Sequence, residues 1–378
     1  MCFFIAFHSQ TDNHQPSTHC LSWWSSTRKD MRSQTFSKAQ ILQDFDSVCQ
    51  TLSACNNKGF KQEFEKLNDV GKDLSMKVGE LEANREKNRY PYILPYDHCR
   101  VRLSIQNSNP NSDYINANFV PGGGSERDFI CTQGPTLNTI VDFWRMVWEQ
   151  NVRVIVMVTA VKHKDIVLCD EYWSLQSGTV YHGPFQVRTV TRKQLGPDYF
   201  TSTIHLRQRD CLTKRIITHY QYPSWPDRGV PTDPSSLCRF TDHVRCLLQD
   251  MPRLGPAVVH CSAGVGRSGT FVALLWMMQL CICGRRPDIQ AAVADLRLRR
   301  MWMVQTLEQY IFVHQCLLYW LSGGTSQGFT HLEHANQEAR GRNRHHRQKT
   351  NSEEPQGTLQ LLRRLLPSSL LNLGSHAS

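Results

Sequence analysis

The sequence predicts an α/β domain. Short β-prone runs alternate with stretches of helical periodicity through most of the chain. An apolar run, Ala257 to His260, breaks into a glycine-rich turn and continues as a segment that is apolar nearly all round, the pattern of a buried central helix. No internal repeat is visible, and C-x5-R occurs at the glycine turn without a second copy, so the 378 residues hold one large unit with flanking tails.

In order, Met1 to Phe7 is apolar but too short to span a membrane and lacks a basic lead and a cleavage site. Residues 1–57, polar and rich in Ser, Thr and Gln from residue 8, read as a flexible leader. From Gly59 the pattern changes. Phe60, Phe64 and Leu67 fall on one helical face with Lys and Glu between them, which predicts an amphipathic helix opening a domain over 58–321. Val101 to Ile105, Tyr114 to Val120 and Phe129 to Thr132 read as strands separated by Asn, Pro and Gly. Asn138 to Gln150 has helical spacing and feeds a buried, β-branched strand at Val152 to Val158. A hairpin-like stretch from Tyr172 to Tyr222 leads into a proline-punctuated surface loop around Trp225-Pro226-Asp227. Leu237 to Leu248, Thr270 to Cys281, Asp288 to Arg300 and Leu307 to Leu321 read as helices. Residues 322–378 carry a Gly-rich start, a basic His-rich run from Arg340 to Lys349 and a leucine cluster at Leu359 to Leu373, a composition that favours a disordered basic tail.

The turn Cys261 to Gly269 is built to hold an anion. Gly264, Gly266 and Gly269 allow a tight turn with N–H groups pointing inward, and the following helix presents its N-terminus to the same point. The glycines also spell G-x-G-x-x-G, but a dinucleotide unit needs a second strand before its acidic residue, and Gly284-Arg285-Arg286-Pro287 cannot form one. The competing chemistry uses Cys261 and Arg267. A helix N-terminus and inward amides favour a thiolate over a thiol. A guanidinium can grip two phosphoryl oxygens and stabilise their charge in the transition state. Ser268 is placed to stabilise the thiolate when it leaves. The plainer alternative, that Cys261 is a core thiol at a strand end, does not account for the packed glycines, His260 and Arg267.

His260-Cys-Ser-Ala-Gly-Val-Gly-Arg-Ser-Gly269 resembles the signature loop of the cysteine-dependent, tyrosine-specific protein phosphatases. Six further motifs resemble that family in order: Lys87-Asn-Arg-Tyr90, Asp113-Tyr-Ile-Asn-Ala117, Thr132-Gln-Gly-Pro135, Phe143-Trp-Arg-Met-Val-Trp-Glu-Gln150, Trp225-Pro-Asp227 and Gln305-Thr-Leu-Glu-Gln309. The wording is closest to the catalytic domains of single-domain receptor-type members. The resemblance implies a single domain with a highly twisted mixed central sheet flanked by helices. It also implies hydrolysis of phosphotyrosine in proteins through a cysteinyl-phosphate, with no cofactor and no metal. Cys261 is then the nucleophile, Arg267 the phosphate clamp, Asp227 the general acid, and Gln305 and Gln309 the residues that place the hydrolytic water. Ser262, Ala263, Gly264, Val265 and Gly266 line the phosphate cradle, while Tyr90 and Tyr92 flank the substrate. Three positions depart from the family pattern. Tyr92 stands where an Asp or Asn contacts substrate backbone, His163 where a Glu pairs with the signature Arg, and Leu168 where a Lys is usual. The reading from another class is therefore a domain that binds phosphotyrosine, or partners, without turnover.

A net charge of +10 suits an acidic phosphorylated partner, and no aromatic-rich basic motif points to nucleic acid. The 14 cysteines are scattered, without C-x-x-C pairs or N-x-Ser/Thr sequons, which predicts a reduced, cytoplasmic setting. Composition leaves the oligomeric state open.

Overall fold

Unbroken burial along the central strands sets the architecture. The computed structural model describes residues 34–226, 229–252 and 254–324. Its helices are α1 (Lys38–Leu67), α2 (Lys77–Glu80), α3 (Ile140–Glu149), α4 (Pro234–Asp250), α5 (Gly266–Ile282), α6 (Ile289–Arg297) and α7 (Leu307–Leu321). The strands are β1 (Arg100–Arg102), β2 (Tyr114–Val120), β3 (Phe129–Thr132), β4 (Val154–Met157), β5 (Lys162–His163), β6 (Ile166–Val167), β7 (Gly178–His182), β8 (Phe185–Leu195), β9 (Tyr199–Gln208), β10 (Lys214–Gln221) and β11 (Ala257–His260). Nine of them form one mixed sheet, in the order β1-β2-β3-β11-β4-β10-β9-β8-β7.

The centre of that sheet is parallel, because β11 runs with both β3 and β4, and β10 runs with β4. Both of its faces are covered, as parallel strands require. Val154, Val156, Ala257 and Val259 bury among residues of α1, α4, α5, α6 and α7; Ile155, Met157 and Val258 turn the other way, onto α3. The flanks are antiparallel: β1, β2 and β3 on one side, β10, β9, β8 and β7 on the other.

The expected α/β class, mixed sheet and run of helices are all present, and α7 has the bounds read from the sequence. One expectation needs correction. Residues 38–57 are not leader but part of α1, capped by Ser37, whose side chain accepts from the Gln40 N–H. Ile41, Phe45 and Cys49 recur every four residues and are buried. Phe45 stacks on His314 of α7, with ring centroids 5.8 Å apart. The helix breaks at Ala54–Asn57, where Cys55, Asn56 and Asn57 have positive φ, and its second arm folds back on the first. Gly59 makes that approach possible, since a Cβ there would lie 2.7 Å from the Leu52 Cα. Residues 1–33 and 325–378, with the leucine cluster and basic run, lie outside the described residues.

Candidate active site

Parallel strand β11 delivers Cys261 to the C-terminal edge of the sheet, and α5 begins five residues later at Gly266. The N–H groups of Gly266, Arg267 and Ser268 belong to the first turn of α5 and have no acceptor within it. Between these elements the loop is shaped from outside. In a trans peptide the carbonyl of one residue and the N–H of the next point in opposite directions. The Ser262 carbonyl accepts from the Gly134 N–H at 2.8 Å. The carbonyls of Ala263 and Gly264 accept from the Arg300 guanidinium at 3.0 and 2.9 Å. Three consecutive carbonyls are thus drawn outward, and the N–H groups of Ala263, Gly264 and Val265 face the other side. That side is Cys261's, because the Gly264 N–H donates to Cys261 Sγ at 3.2 Å.

Glycine is required where the loop is tightest. Gly264 has φ of +73°, and a Cβ on it would lie 2.0 Å from the Thr132 carbonyl oxygen. At Gly269 a Cβ would lie 2.3 Å from the Val304 nitrogen, which ties the start of α5 to the loop before α7.

Arg300 has no neutralising carboxylate among the described residues. It is fully buried, and its other donors reach Asn118 Oδ1 and Asn116 Oδ1 at 3.0 and 2.8 Å. Burial lowers its pKa from the ordinary arginine range. The sequence reading gave Arg300 no role beyond closing a helix, and gave Gly134 none beyond a motif. Neither carries a local signal, because each acts on residues far along the chain.

Behind the loop, His260 is buried between the Cys261 carbonyl, 3.1 Å from Nδ1, and the Tyr172 hydroxyl, 2.7 Å from Nε2. Burial pulls its pKa down to about 4. The same hydroxyl is 2.7 Å from His219 Nε2, and burial holds His219 well below its ordinary value. A neutral His260 donates from Nδ1 to the Cys261 carbonyl and accepts the Tyr172 proton at Nε2, leaving the Tyr172 oxygen to accept from His219.

The remaining expected residues gather around the same point, with two exceptions. Arg267 Nη1 donates to Thr159 Oγ1 at 3.0 Å, and Nη2 to the Pro226 carbonyl at 3.3 Å. Tyr90 is half-buried, with its hydroxyl 2.8 Å from Ser262 Oγ. Ser268 Oγ is buried without a hydrogen-bond partner among the described residues. Gln309 Oε1 accepts from the Gln305 N–H at 2.9 Å, and its amide is so near Gly266 that a Cβ there would lie 2.9 Å away. Tyr92 is the first exception: it is 46% exposed and makes no hydrogen bond to the loop. Asp227 is the second, lying outside the described residues. Its flanks are fixed, since buried Trp225 donates from Nε1 to the Gly229 carbonyl at 3.2 Å and Val230 is buried.

Two motifs read separately from the sequence, Lys87–Tyr90 and Thr132–Pro135, are hydrogen-bonded to each other. Arg89 donates from Nε to the Gly134 carbonyl at 2.9 Å, and from Nη2 to the Pro135 carbonyl and to Asp170, each at 2.7 Å. Gln133 accepts from the Arg89 N–H at 2.9 Å and donates to the Lys87 carbonyl at 2.9 Å. His163 sits in the two-stranded β5-β6 ribbon, paired with Ile166.

Residues 84–319 match the family described as protein-tyrosine phosphatase. Receptor-type tyrosine-protein phosphatase V of Rattus norvegicus is 43% identical over 277 residues, 73% of this chain and 16% of that protein. Receptor-type tyrosine-protein phosphatase eta of Mus musculus is 38% identical over 305 residues, 78% of this chain and 24% of that protein. Receptor-type tyrosine-protein phosphatase F of Danio rerio is 40% identical over 267 residues, 71% of this chain and 14% of that protein. The chain therefore spans about a quarter or less of the length of these relatives. No helix among the described residues is long and apolar enough to cross a membrane. The match over residues 84–319 and relatives of about 40% identity over most of the chain place it in the protein-tyrosine phosphatase family.

Proposed function

We propose that this chain hydrolyses phosphotyrosine in proteins through a cysteinyl-phosphate. The observation that carries the reading is the outward pull on three successive loop carbonyls, which leaves their partner N–H groups on the side of Cys261 Sγ. Such a surface binds the equatorial oxygens of a phosphoryl group, and Arg267 adds a planar cation to the same oxygens. Cys261 Sγ attacks phosphorus, the bond to the tyrosyl oxygen breaks, and Asp227 gives that oxygen its proton. Water then attacks the cysteinyl-phosphate, placed by Gln305 and supported by Gln309, and releases phosphate and the thiolate, which Ser268 Oγ stabilises. Tyr90 walls the pocket at its rim, and Tyr92 meets the substrate chain from the surface. The thiolate requires a reducing compartment, which supports an intracellular location.

A second reading, phosphotyrosine binding without turnover, draws on the exposed Tyr92 and on His163 standing where the family pairs a Glu with its Arg. One experiment separates the two: turnover of a phosphotyrosine peptide beside its phosphoserine analogue, with wild type and Cys261→Ser. Steady release of phosphate from the phosphotyrosine peptide alone, lost in Cys261→Ser while peptide binding persists, is the expected result. Binding without release by wild type would establish the second reading, and release by Cys261→Ser near the wild-type rate would remove the covalent step.

A further inference from the structure

The solvent face of the antiparallel flank carries cations with nothing among the described residues to balance them. From Gly178 to Gln221 the sequence has seven Lys or Arg and two Asp. Arg192 and Arg215 are spoken for on the α3 side of the sheet, against Phe200 and Trp148. The other five, Arg188, Lys193, Arg207, Arg209 and Lys214, are exposed, and none has a side-chain hydrogen bond or carboxylate partner among the described residues; Arg188, Arg207 and Lys214 stand closest together.

Their register makes this more than a solvated surface. Lys214 of β10 stands directly opposite Arg207 of β9, and Arg188 of β8 directly opposite His205 of β9. Like charges at directly opposed positions of an antiparallel pair destabilise the sheet, so the arrangement works against the fold that displays it. Ile216 of β10, opposite His205 and 52% exposed, puts an apolar side chain in the middle of the group. The His205 ring registers the crowding: burial first, then Lys214, Arg188 and Arg207, lower its pKa from the ordinary value.

We propose that this face docks an extended acidic segment of a partner protein. Positions 205 and 207 lie about 6.7 Å apart along β9, and adjacent strands lie about 4.8 Å apart. An extended chain repeats its same-side carboxylates at that first spacing, and Ile216 offers an apolar contact between them. A lipid surface has no such repeat. The face is separate from the Cys261 site. Lys214 begins β10, whereas the other end of that strand, at Gln221 beside Met157, leads toward the loop, roughly 23 Å away at about 3.3 Å per residue.

The test uses the full chain and a fluorescein-labelled Glu-Thr repeat peptide without phosphotyrosine, with a Gln-Thr repeat as control and phosphatidylserine vesicles as a third arm. Expected are binding of the Glu-Thr peptide that weakens with salt, and a loss of affinity of about tenfold or more in R188E/R207E/K214E. Turnover of a small aryl phosphate should stay within about twofold, which shows an intact fold and reads the Cys261 site independently. If the reversed variant does not fold, R188Q/R207Q/K214Q takes its place, with a smaller loss expected. Unchanged affinity in a folded variant, equal binding of the Gln-Thr peptide, or vesicle binding without peptide binding would each overturn the proposal.

Discussion

At Arg267 the position of a guanidinium decides how well a phosphoryl group is held, and two acceptors among the described residues help to fix it. The sequence left this residue loosely aimed, because His163 stands where a Glu is usual. Thr159 Oγ1 and the Pro226 carbonyl hold it from elsewhere. Removing a hydrogen bond to a charged group costs about 1.5–3 kcal/mol, so Thr159→Val should lower kcat/KM for a phosphotyrosine peptide by about tenfold or more. His163→Glu should gain less than Thr159→Val loses; a larger gain would return the aiming role to position 163. Asp227→Ala should lower kcat by about 10²–10⁴ on phosphotyrosine and far less on an aryl phosphate with a good leaving group. Equal losses on both substrates would take Asp227 out of the acid role.

Among the elements, those with a strong period were legible and those made by distant contacts were not. Apolar runs and helical spacing located β3, β4, β11, α5 and α7 because burial on two faces, or all round, leaves its mark on consecutive residues. The first arm of α1 was missed although Ile41, Phe45 and Cys49 keep helical phase, since the Ser- and Gln-rich residues around them lower the average that the eye follows. Phe45→Ala should therefore cost about 3–5 kcal/mol in denaturant unfolding, as for any core aromatic. Val48→Ala, on the solvent side of the same arm and 48% exposed, should stay within about 0.5 kcal/mol. In the site, the nucleophile and its glycines could be read from their own neighbours, whereas Arg300, which arrives from the end of α6 to grip Ala263 and Gly264, could not. Arg300→Lys keeps the charge but cannot serve four acceptors in a plane. It should weaken inhibition by inorganic phosphate and lower kcat/KM together, by about tenfold or more. A fall in thermal stability with unchanged phosphate inhibition would make Arg300 a packing residue only.

Across the whole molecule, buried neutral histidines link stability to pH. Burial holds His260 and His314 at about 4, and His219 is lowered in the same direction. In the unfolded chain each titrates near its ordinary value of about 6.5. Between those limits the unfolded chain binds more protons, so the stability these groups allow is complete above about pH 6.5 and falls away as the pH drops toward about 4. The urea midpoint should decline over that window, and His314→Phe, placed among Phe45, Phe60 and Tyr310, should flatten the decline. An unaltered profile in that variant would show that carboxylates alone set the acid limb. The docking of α1 on α7 has a consequence in time. The ribosome completes α1 at Leu67 and does not reach Leu307 until 240 residues later. At about 5–20 residues per second, Ile41, Phe45 and Phe60 wait roughly 10–50 s for the helix that covers them. During synthesis, then, the apolar face of α1 leaves the ribosome well before the helix that shelters it, and a nascent-chain chaperone has that interval in which to hold it.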